Sequence, residues 1–275
     1  MITKTQEQIV LGSMCGDGCI LKKGRSINYR FIESHCFRQR QYLLWKAKIL
    51  KSFGVRYYEW FRYNDKNKKF RYCRIDTSNH EYFTRLRSVF YPSMRRNKIV
   101  CRDVLNRLNA LGLCVWYLDD GSYNYSSKNI SITTCMNEFS VQEVFRDYFK
   151  EVWGLDIIIR SREKRGKVVH YIWFDVISSD KFLRIIKKYV PKCLNYKLGH
   201  LHKSNLKKLC RARKMASSRQ KKYRSTEIGK LKTKENNNRY YHNNKERFKE
   251  YGRWYYRKNR KRLSVWRDKN REYCE

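Results

Sequence analysis

The 275-residue chain holds 64 Lys plus Arg against 25 Asp plus Glu, a formal charge of +39. Self-repulsion on that scale destabilises a compact chain unless a polyanion neutralises it, so most metabolic enzymes are excluded and nucleic acid is the expected partner, ahead of an anionic membrane. With 15% aromatic and 41% hydrophobic residues, 12 Gly and 2 Pro, it is neither a disordered cationic tail nor a Gly- or Pro-rich linker protein, and its length allows one or two domains.

Thr5-Gln6-Glu7-Gln8 is a capping-box pattern that opens an apolar helix running to a stop at Gly16-Asp17-Gly18. A strand over 29–36 follows, then a helix over 38–51, a hairpin of strands over 55–63 and 70–76 turning at Asn64-Asp65-Lys66-Asn67, and a helix over 81–90. A second set succeeds it: a helix over 103–118, a strand over 131–136, a helix over 141–153, a hairpin of 155–162 and 168–177 turning at Arg165-Gly166, and a helix over 181–189. The two sets share landmarks. Pro92 and Pro191 stand 99 apart in matching contexts, Phe53-Gly54 and Trp153-Gly154 100 apart, and Asp17 and Asp120 103 apart. A duplicated αββαββα domain is the reading, with a first repeat over 1–100, a second over 101–210 and a basic extension over 211–275.

In the extension, residues 201–275 hold 26 Lys plus Arg against 7 Asp plus Glu, so about half of the net charge lies there. Ser217 to Asn238 is polar and Lys-rich and reads as a linker. Beyond it a repeat of 15 residues aligns Tyr240, Tyr241, Arg247 and Phe248 with Tyr255, Tyr256, Arg262 and Leu263. Its apolar spacing is helical and predicts an accessory nucleic-acid-binding arm to which Arg247 and Arg262 contribute.

The strands carry a second signal. Arg56, Tyr58, Trp60 and Arg62 share one strand face, as do Arg160, Arg162 and Lys164, while Tyr171 and Trp173 lie opposite an apolar face of Val168, His170, Ile172, Phe174 and Val176. Antiparallel sheets with one apolar face and one basic, aromatic face suit the DNA backbone and base edges, and the same composition in both copies outweighs a merely solvated face. The start at Met1 lacks the apolar stretch of a secretory signal and no run approaches the ~18 apolar residues that span a membrane. A soluble intracellular protein is therefore expected, in a cytoplasm, nucleoid or organelle matrix. The ten cysteines then read as reduced and mostly buried; Cys15 with Cys19 is a lone pair without the second pair that a zinc site needs, and His200 with His202 is not a zinc-ligand spacing.

The chemistry is expected at two helix ends, Val10 to Gly18 and Leu113 to Gly121, where an apolar helix stops at an Asp followed by Gly. Gly after the last turn is a helix stop, but Asp there opposes the negative end of the macrodipole, a conflict that a bound cation removes. Gly12, Ser13 and Gly16 permit close approach of the two helices, which would bring Asp17 and Asp120 to the same end of a pseudo-twofold interface. Two convergent carboxylates on a basic surface are the ingredients of divalent-metal phosphodiester hydrolysis.

These two segments resemble the paired LAGLIDADG motifs of homing endonucleases in their single-chain, two-repeat form, and the element order resembles that fold over roughly residues 5–200. The resemblance implies an α+β protein whose two pseudo-symmetric αββαββα repeats form a β-sheet DNA-binding saddle, followed here by the basic helical extension. It implies a monomeric endonuclease that cuts double-stranded DNA at a long near-palindromic site with Mg²⁺ or Mn²⁺. The family's metal-binding acids fall on Asp17 and Asp120, with Asp119 in support and the main-chain carbonyls of Gly16 and Asp119 as further ligands; its phosphate-proximal lysines fall on Lys98 and Lys197. Glu33 and Thr134 stand nearest to a polar residue that the family places on an early strand. The motif's central Gly is Val115 in the second copy and its first acidic position is Cys15 and Leu118, so a group I intron RNA maturase, or a non-cutting DNA-binding protein, is the alternative. With the motif so near Met1, a free-standing or intron-encoded enzyme is expected and an intein is not.

Overall fold

In a computed structural model of the chain, residues 2–260 are described apart from 23, 64, 66, 93–97, 135–138, 165, 202–205, 247, 251, 252, 254, 255 and 258. The first repeat runs α1 (Lys4–Cys15), β1 (Cys19–Lys22), β2 (Tyr29–Cys36), α2 (Arg40–Ile49), β3 (Arg56–Tyr63), β4 (Lys69–Asp76) and α3 (Glu81–Phe90). The second runs α4 (Arg102–Asn106), α5 (Ala110–Asp120), β5 (Gly121–Asn124), β6 (Asn129–Thr133), α6 (Phe139–Trp153), β7 (Ile157–Lys164), β8 (Lys167–Phe174) and α7 (Val176–Ile186). Each repeat folds its strands into an antiparallel sheet, β1-β2-β4-β3 and β5-β6-β8-β7, the same topology twice. The short strands β1 and β5, which the hydrophobic pattern does not reveal, follow the Asp-Gly turns directly and complete the αββαββα order.

Several boundaries differ from the sequence expectation, and three of them are set by a side chain that caps a helix. The α1 helix starts at Lys4, not after Thr5: Thr3 is the N-cap, its hydroxyl accepts from the Gln6 amide, and the Gln6 side chain accepts from the Thr3 amide. Gln6 also donates to the Ile49 carbonyl and the Ser52 hydroxyl, so tertiary contacts fix this choice. The helix expected over 103–118 is two, because the Asn109 side chain accepts from the Leu111 and Gly112 amides and restarts it as α5. The strand expected to reach Ile177 ends at Phe174, because Asp175 accepts from the Ser178 amide at 2.6 Å and starts α7 there. Capping outweighs the β-propensity of Val176 and Ile177, which are left exposed.

Strand alternation sorts the two faces of each sheet. Phe31, Cys73 and Ile75 point inward in the first and Ile132, Ile172 and Phe174 in the second, all fully buried. Helices cover them through aromatic contacts, with Phe31 and Phe53 against Phe83 in the first repeat. In the second, Phe174 packs against Phe149 and Phe182, and Trp116 against Phe145. Each large side chain so buried contributes about 1.5–3 kcal/mol, so stability resides on these inner faces and leaves the outer faces free to be basic.

Contacts divide the chain into one unit over Met1–Arg213 and another over Lys214–Glu275. In the second, α8 (Leu206–Ser225, beginning in the first unit) is followed by α9 (Glu227–Asn243). The stretch read as a linker is therefore helical. Its Lys, Arg, Gln and Glu are strong helix formers without an apolar stripe, and its one interruption is Thr226, which caps α9 by accepting from the Gly229 amide. Gly229 is required there, since a Cβ would sit 1.9 Å from the Tyr223 carbonyl oxygen. Tyr241 stacks on Phe248 with ring centroids 5.7 Å apart, as the helical spacing predicts. Of the cysteines described, all free, Cys15, Cys73 and Cys114 are buried, Cys19 and Cys101 half-buried, and Cys36 and Cys193 exposed, so burial is less general than expected. Among the described residues no helix is long and apolar enough to cross a membrane.

Candidate active site

Helices α1 and α5 pack against each other along glycines. A Cβ on Gly12 would lie 2.4 Å from the Gly112 carbonyl oxygen and 2.7 Å from Val115 Cβ, and one on Gly16 would lie 2.5 Å from Asp119 Cβ. Val115, where the motif has glycine, is accommodated because it faces Gly12. Buried Gln8 fixes the register: it donates to the Arg107 carbonyl and accepts from the Asn109 amide, both at 2.8 Å.

The close pairing brings the two helix ends together. Asp17, Asp120, Gly16, Lys98, Thr134 and Arg87 are among the residues around one cavity of about 610 Å³. The Asp17 side chain is 42% exposed. Asp120 is more enclosed, and its carboxyl is pushed up to about 7, by burial first and then by the charges of Asp17 and Asp119, against the pull of Lys98 and Lys197. No hydrogen bond or ion pair reaches the Asp120 carboxylate from the described residues. A desolvated carboxylate beside a second one suits a hard divalent cation.

Lys98 and Lys197 are 9% and 8% exposed, and each closes the Asp-Gly turn of its own repeat. Lys98 donates to the carbonyls of Gly16 and of Gly18, the latter at 2.9 Å. Lys197 donates to Leu118 and Gly121 at 2.5 and 3.0 Å. An ammonium at these orphan carbonyls offsets the negative helix end that the two Asp side chains would otherwise face alone. Burial pulls the Lys197 ammonium below the usual lysine range, against the pull of Asp119, Asp17 and Asp120.

Asp119 is elsewhere. Its carboxylate is not among the cavity residues; it accepts from Tyr42 Oη at 2.8 Å and from Lys46 Nζ at 2.9 and 3.1 Å. Lys46, fully buried, donates as well to Ser13 Oγ at 2.8 Å and to Glu33 Oε1 at 2.5 Å. Glu33 in turn bonds His35 Nε2 at 2.6 Å, and His35 Nδ1 lies 3.5 Å from Asp17 Oδ2. Burial opposes the Lys46 charge, yet Asp119 and Glu33 outweigh it and hold the ammonium above the usual lysine value. Burial likewise opposes the His35 charge, and Glu33 outweighs it. One donor atom each of Asp17, His35 and Asp119 lies within 4.8 Å of the others, a second grouping able to hold a cation.

The arrangement is one-sided. His35 and Thr134 occupy the inner face of β2 and the end of β6 at matching places, and Tyr42 in α2 answers to Gln142 in α6. In the second repeat this pairing is a neutral hydrogen bond from Thr134 to Gln142 at 2.7 Å. Sequence reasoning reached Glu33 and Thr134 but missed His35, Tyr42 and Lys46. A signal existed: Lys46 falls one turn after buried Tyr42 on the apolar stripe of α2, a cation where a core residue belongs.

On the outer sheet faces, Arg56, Arg62, Arg160 and Arg162 are exposed. Arg160 lies over the Trp173 ring at 3.9 Å and Arg162 over Tyr171 at 5.4 Å, cation–π contacts between neighbouring strands. Lys164 shares that face by register. Arg247 and Arg262 lie outside the described residues.

Known proteins share this architecture. The model of the LAGLIDADG DNA endonuclease family matches residues 7–182. The RecA protein of Mycolicibacterium flavescens is 30% identical over 209 residues, 72% of this chain and 47% of that protein, so the chain spans about half the length of such relatives. The DNA endonuclease I-ChuI of Chlamydomonas applanata is 22% identical over 221 residues, 74% of this chain and 99% of that one. The solved homing endonuclease I-WcaI, bound to its DNA recognition sequence, superposes with a TM-score of 0.64 at 21% identity, over 72% of this chain and 87% of its own, and so shares the fold. The duplicated sheets, the glycine-paired helices and the two terminal aspartates are thus those of a member of the LAGLIDADG DNA endonuclease family, to which this chain belongs.

Proposed function

We propose that the protein is a site-specific double-strand DNA endonuclease that hydrolyses phosphodiester bonds with Mg²⁺ or Mn²⁺. The observation that carries this reading is the shared cavity of Asp17 and Asp120, in which the Asp120 carboxylate is desolvated and has no bonded cation among the described residues. Asp17 and Asp120 would hold the ion, with main-chain oxygens of the helix ends, Gly16 and Asp119, completing the set. The Gly16 carbonyl already accepts from Lys98, so it would be shared. A bound divalent ion supplies Lewis acidity at the phosphate and lowers the pKa of water. The chain's own part is positional. Lys98 and Lys197 fix the turns that aim the two carboxylates and put positive charge beside the phosphates, while the network through Lys46 locks the end of α5 to the first sheet.

The outer sheet faces, with Arg56, Arg62, Arg160, Arg162, Lys164, Tyr171 and Trp173, form the saddle that reads a long near-palindromic duplex, one half-site per repeat, as a monomer. The basic segment after residue 213, Arg247 and Arg262 among its residues, adds sequence-independent phosphate contacts. The protein works wherever its target DNA lies, in a cytoplasm, nucleoid or organelle matrix.

Supercoiled plasmid carrying the uninterrupted form of the gene's own flanking sequence is expected to be linearised in Mg²⁺ and left intact in EDTA. An intact plasmid in both, with group I intron RNA splicing stimulated by the protein instead, would establish the maturase reading in its place.

A further inference from the structure

We propose that Arg74, held by Asp76 on the outer face of the first sheet, is a guanine-reading residue of this protein, and that Asp76 is its positioning residue. The proposal rests on the reading that this face meets duplex DNA. Arg74 and Asp76 lie two apart on β4 and so share a face; their register partners are Tyr58 and Ser34 for Arg74, Arg56 and Ile32 for Asp76. The Asp76 side chain is 2% exposed, which a lone carboxylate on a sheet tolerates only with cationic partners. It has two. Arg30 Nη1 donates to Oδ2 at 2.9 Å, and Arg74 donates both Nε to Oδ1 and Nη2 to Oδ2, the latter at 2.6 Å.

The donor geometry gives the arrangement its use. A guanidinium has a side-on pair of N–H groups, at Nε and Nη2, and an end-on pair, at Nη1 and Nη2, in a rigid planar fork. Asp76 takes the side-on pair of Arg74. The end-on pair is left, spaced to match O6 and N7 of guanine in the major groove. With a side chain 35% exposed, Arg74 borders an open cavity of about 420 Å³ with Arg30, Tyr58, Trp60 and Asp76. Trp60 stacks on Tyr72 with centroids 5.6 Å apart, a fixed wall beside it. An arginine already immobilised by its carboxylate loses less freedom on binding than a free one such as Arg62 on the same face, which suits it to discriminate between bases.

Among the described residues the second repeat lacks this device. By strand register Trp173 stands in the place of Asp76 and Tyr171 in that of Arg74, with Arg160 lying over the first ring and Arg162 over the second, so no carboxylate grips an arginine there. The guanine preference therefore belongs to the half-site under the first sheet and breaks the target's symmetry there.

The test is selection of bound duplexes from a randomised pool by the full chain in EDTA, repeated with Arg74→Ala, Asp76→Asn and Arg62→Ala, each checked for folding by thermal melting. The parent is expected to enrich a site with a guanine that Arg74→Ala loses at one base pair by about 5- to 150-fold, the range of a bidentate contact. Asp76→Asn is expected to weaken the same position, although it removes no cation, and Arg62→Ala to weaken all positions alike. A parent that enriches a defined site unchanged by Arg74→Ala, or weakened by it evenly, overturns the assignment alone. A parent that enriches no sequence overturns the saddle reading as well.

Discussion

Removing the negative charge of Asp120 should stabilise the fold. The Asp120 carboxyl is raised from 3.8 to about 7, mainly by burial and by Asp17. A carboxyl whose folded-state pKa lies above its unfolded value destabilises the fold only where it is ionised: the penalty is absent below about pH 4, grows through the interval to about pH 7, and is complete above it. Three units at 1.36 kcal/mol each set an upper bound of about 4 kcal/mol, and partial access of solvent leaves about 2 kcal/mol. Asp120→Asn keeps the shape and loses the charge. In EDTA at pH 8 the variant should unfold about 5 °C above the parent, and at pH 4.5 the two should nearly coincide. Thermal unfolding at both pH values reads the difference. A variant that melts at or below the parent at pH 8, or that gains equally at both pH values, would refute the reasoning, since the first would mean the charge is already compensated and the second that the gain is not electrostatic.

Lys46→Met should act in the opposite direction, because it leaves Asp119 and Glu33 buried together without their cation; a loss of about 3–5 kcal/mol is expected in urea unfolding at pH 7, and one under ~1 kcal/mol would show that the network is not a unit. Gly12→Ala places a methyl 2.4 Å from the Gly112 carbonyl, so α1 and α5 must separate. About 1–3 kcal/mol of stability should be lost, and DNA cleavage reduced beyond what the unfolded fraction explains. Deleting residues 226–275, at the break between α8 and α9, should weaken binding to unrelated duplex DNA and flatten its salt dependence; an identical slope of affinity against salt would mean that these helices touch no phosphate.

The duplication was legible because its markers are local. Pro92 with Pro191 and Asp17 with Asp120 sit at helix stops, where backbone geometry restricts the choice of residue, and the glycines of α1 announce a close helix pair. Lys98 and Lys197 were also found, but the bonds they make, to the carbonyls of their own turns, depend on the chain returning some 80 residues later. The network around Lys46 was not legible at all: it joins Ser13, Glu33, Lys46 and Asp119 from four elements, and no periodicity in one segment pairs it with another. Arg74 and Asp76 escaped for a different reason, since strand alternation places them on one face but does not show that the carboxylate grips the guanidinium. The stretch after Ser217 reads as a linker for want of an apolar stripe, yet it is helical, because the helix propensity of its Lys, Arg and Glu residues suffices.

The central claim is that Asp17 and Asp120 together hold the ion that cuts DNA. End-labelled duplex carrying the selected site, incubated with parent, Asp17→Asn, Asp120→Asn and the double variant in Mg²⁺, tests it most directly. Binding should survive in all four, while cutting of both strands falls on the order of 10³-fold or more in every variant, with the double variant little worse than either single one, as for groups that act as a unit. Cleavage by the double variant at the parent's rate would contradict the claim.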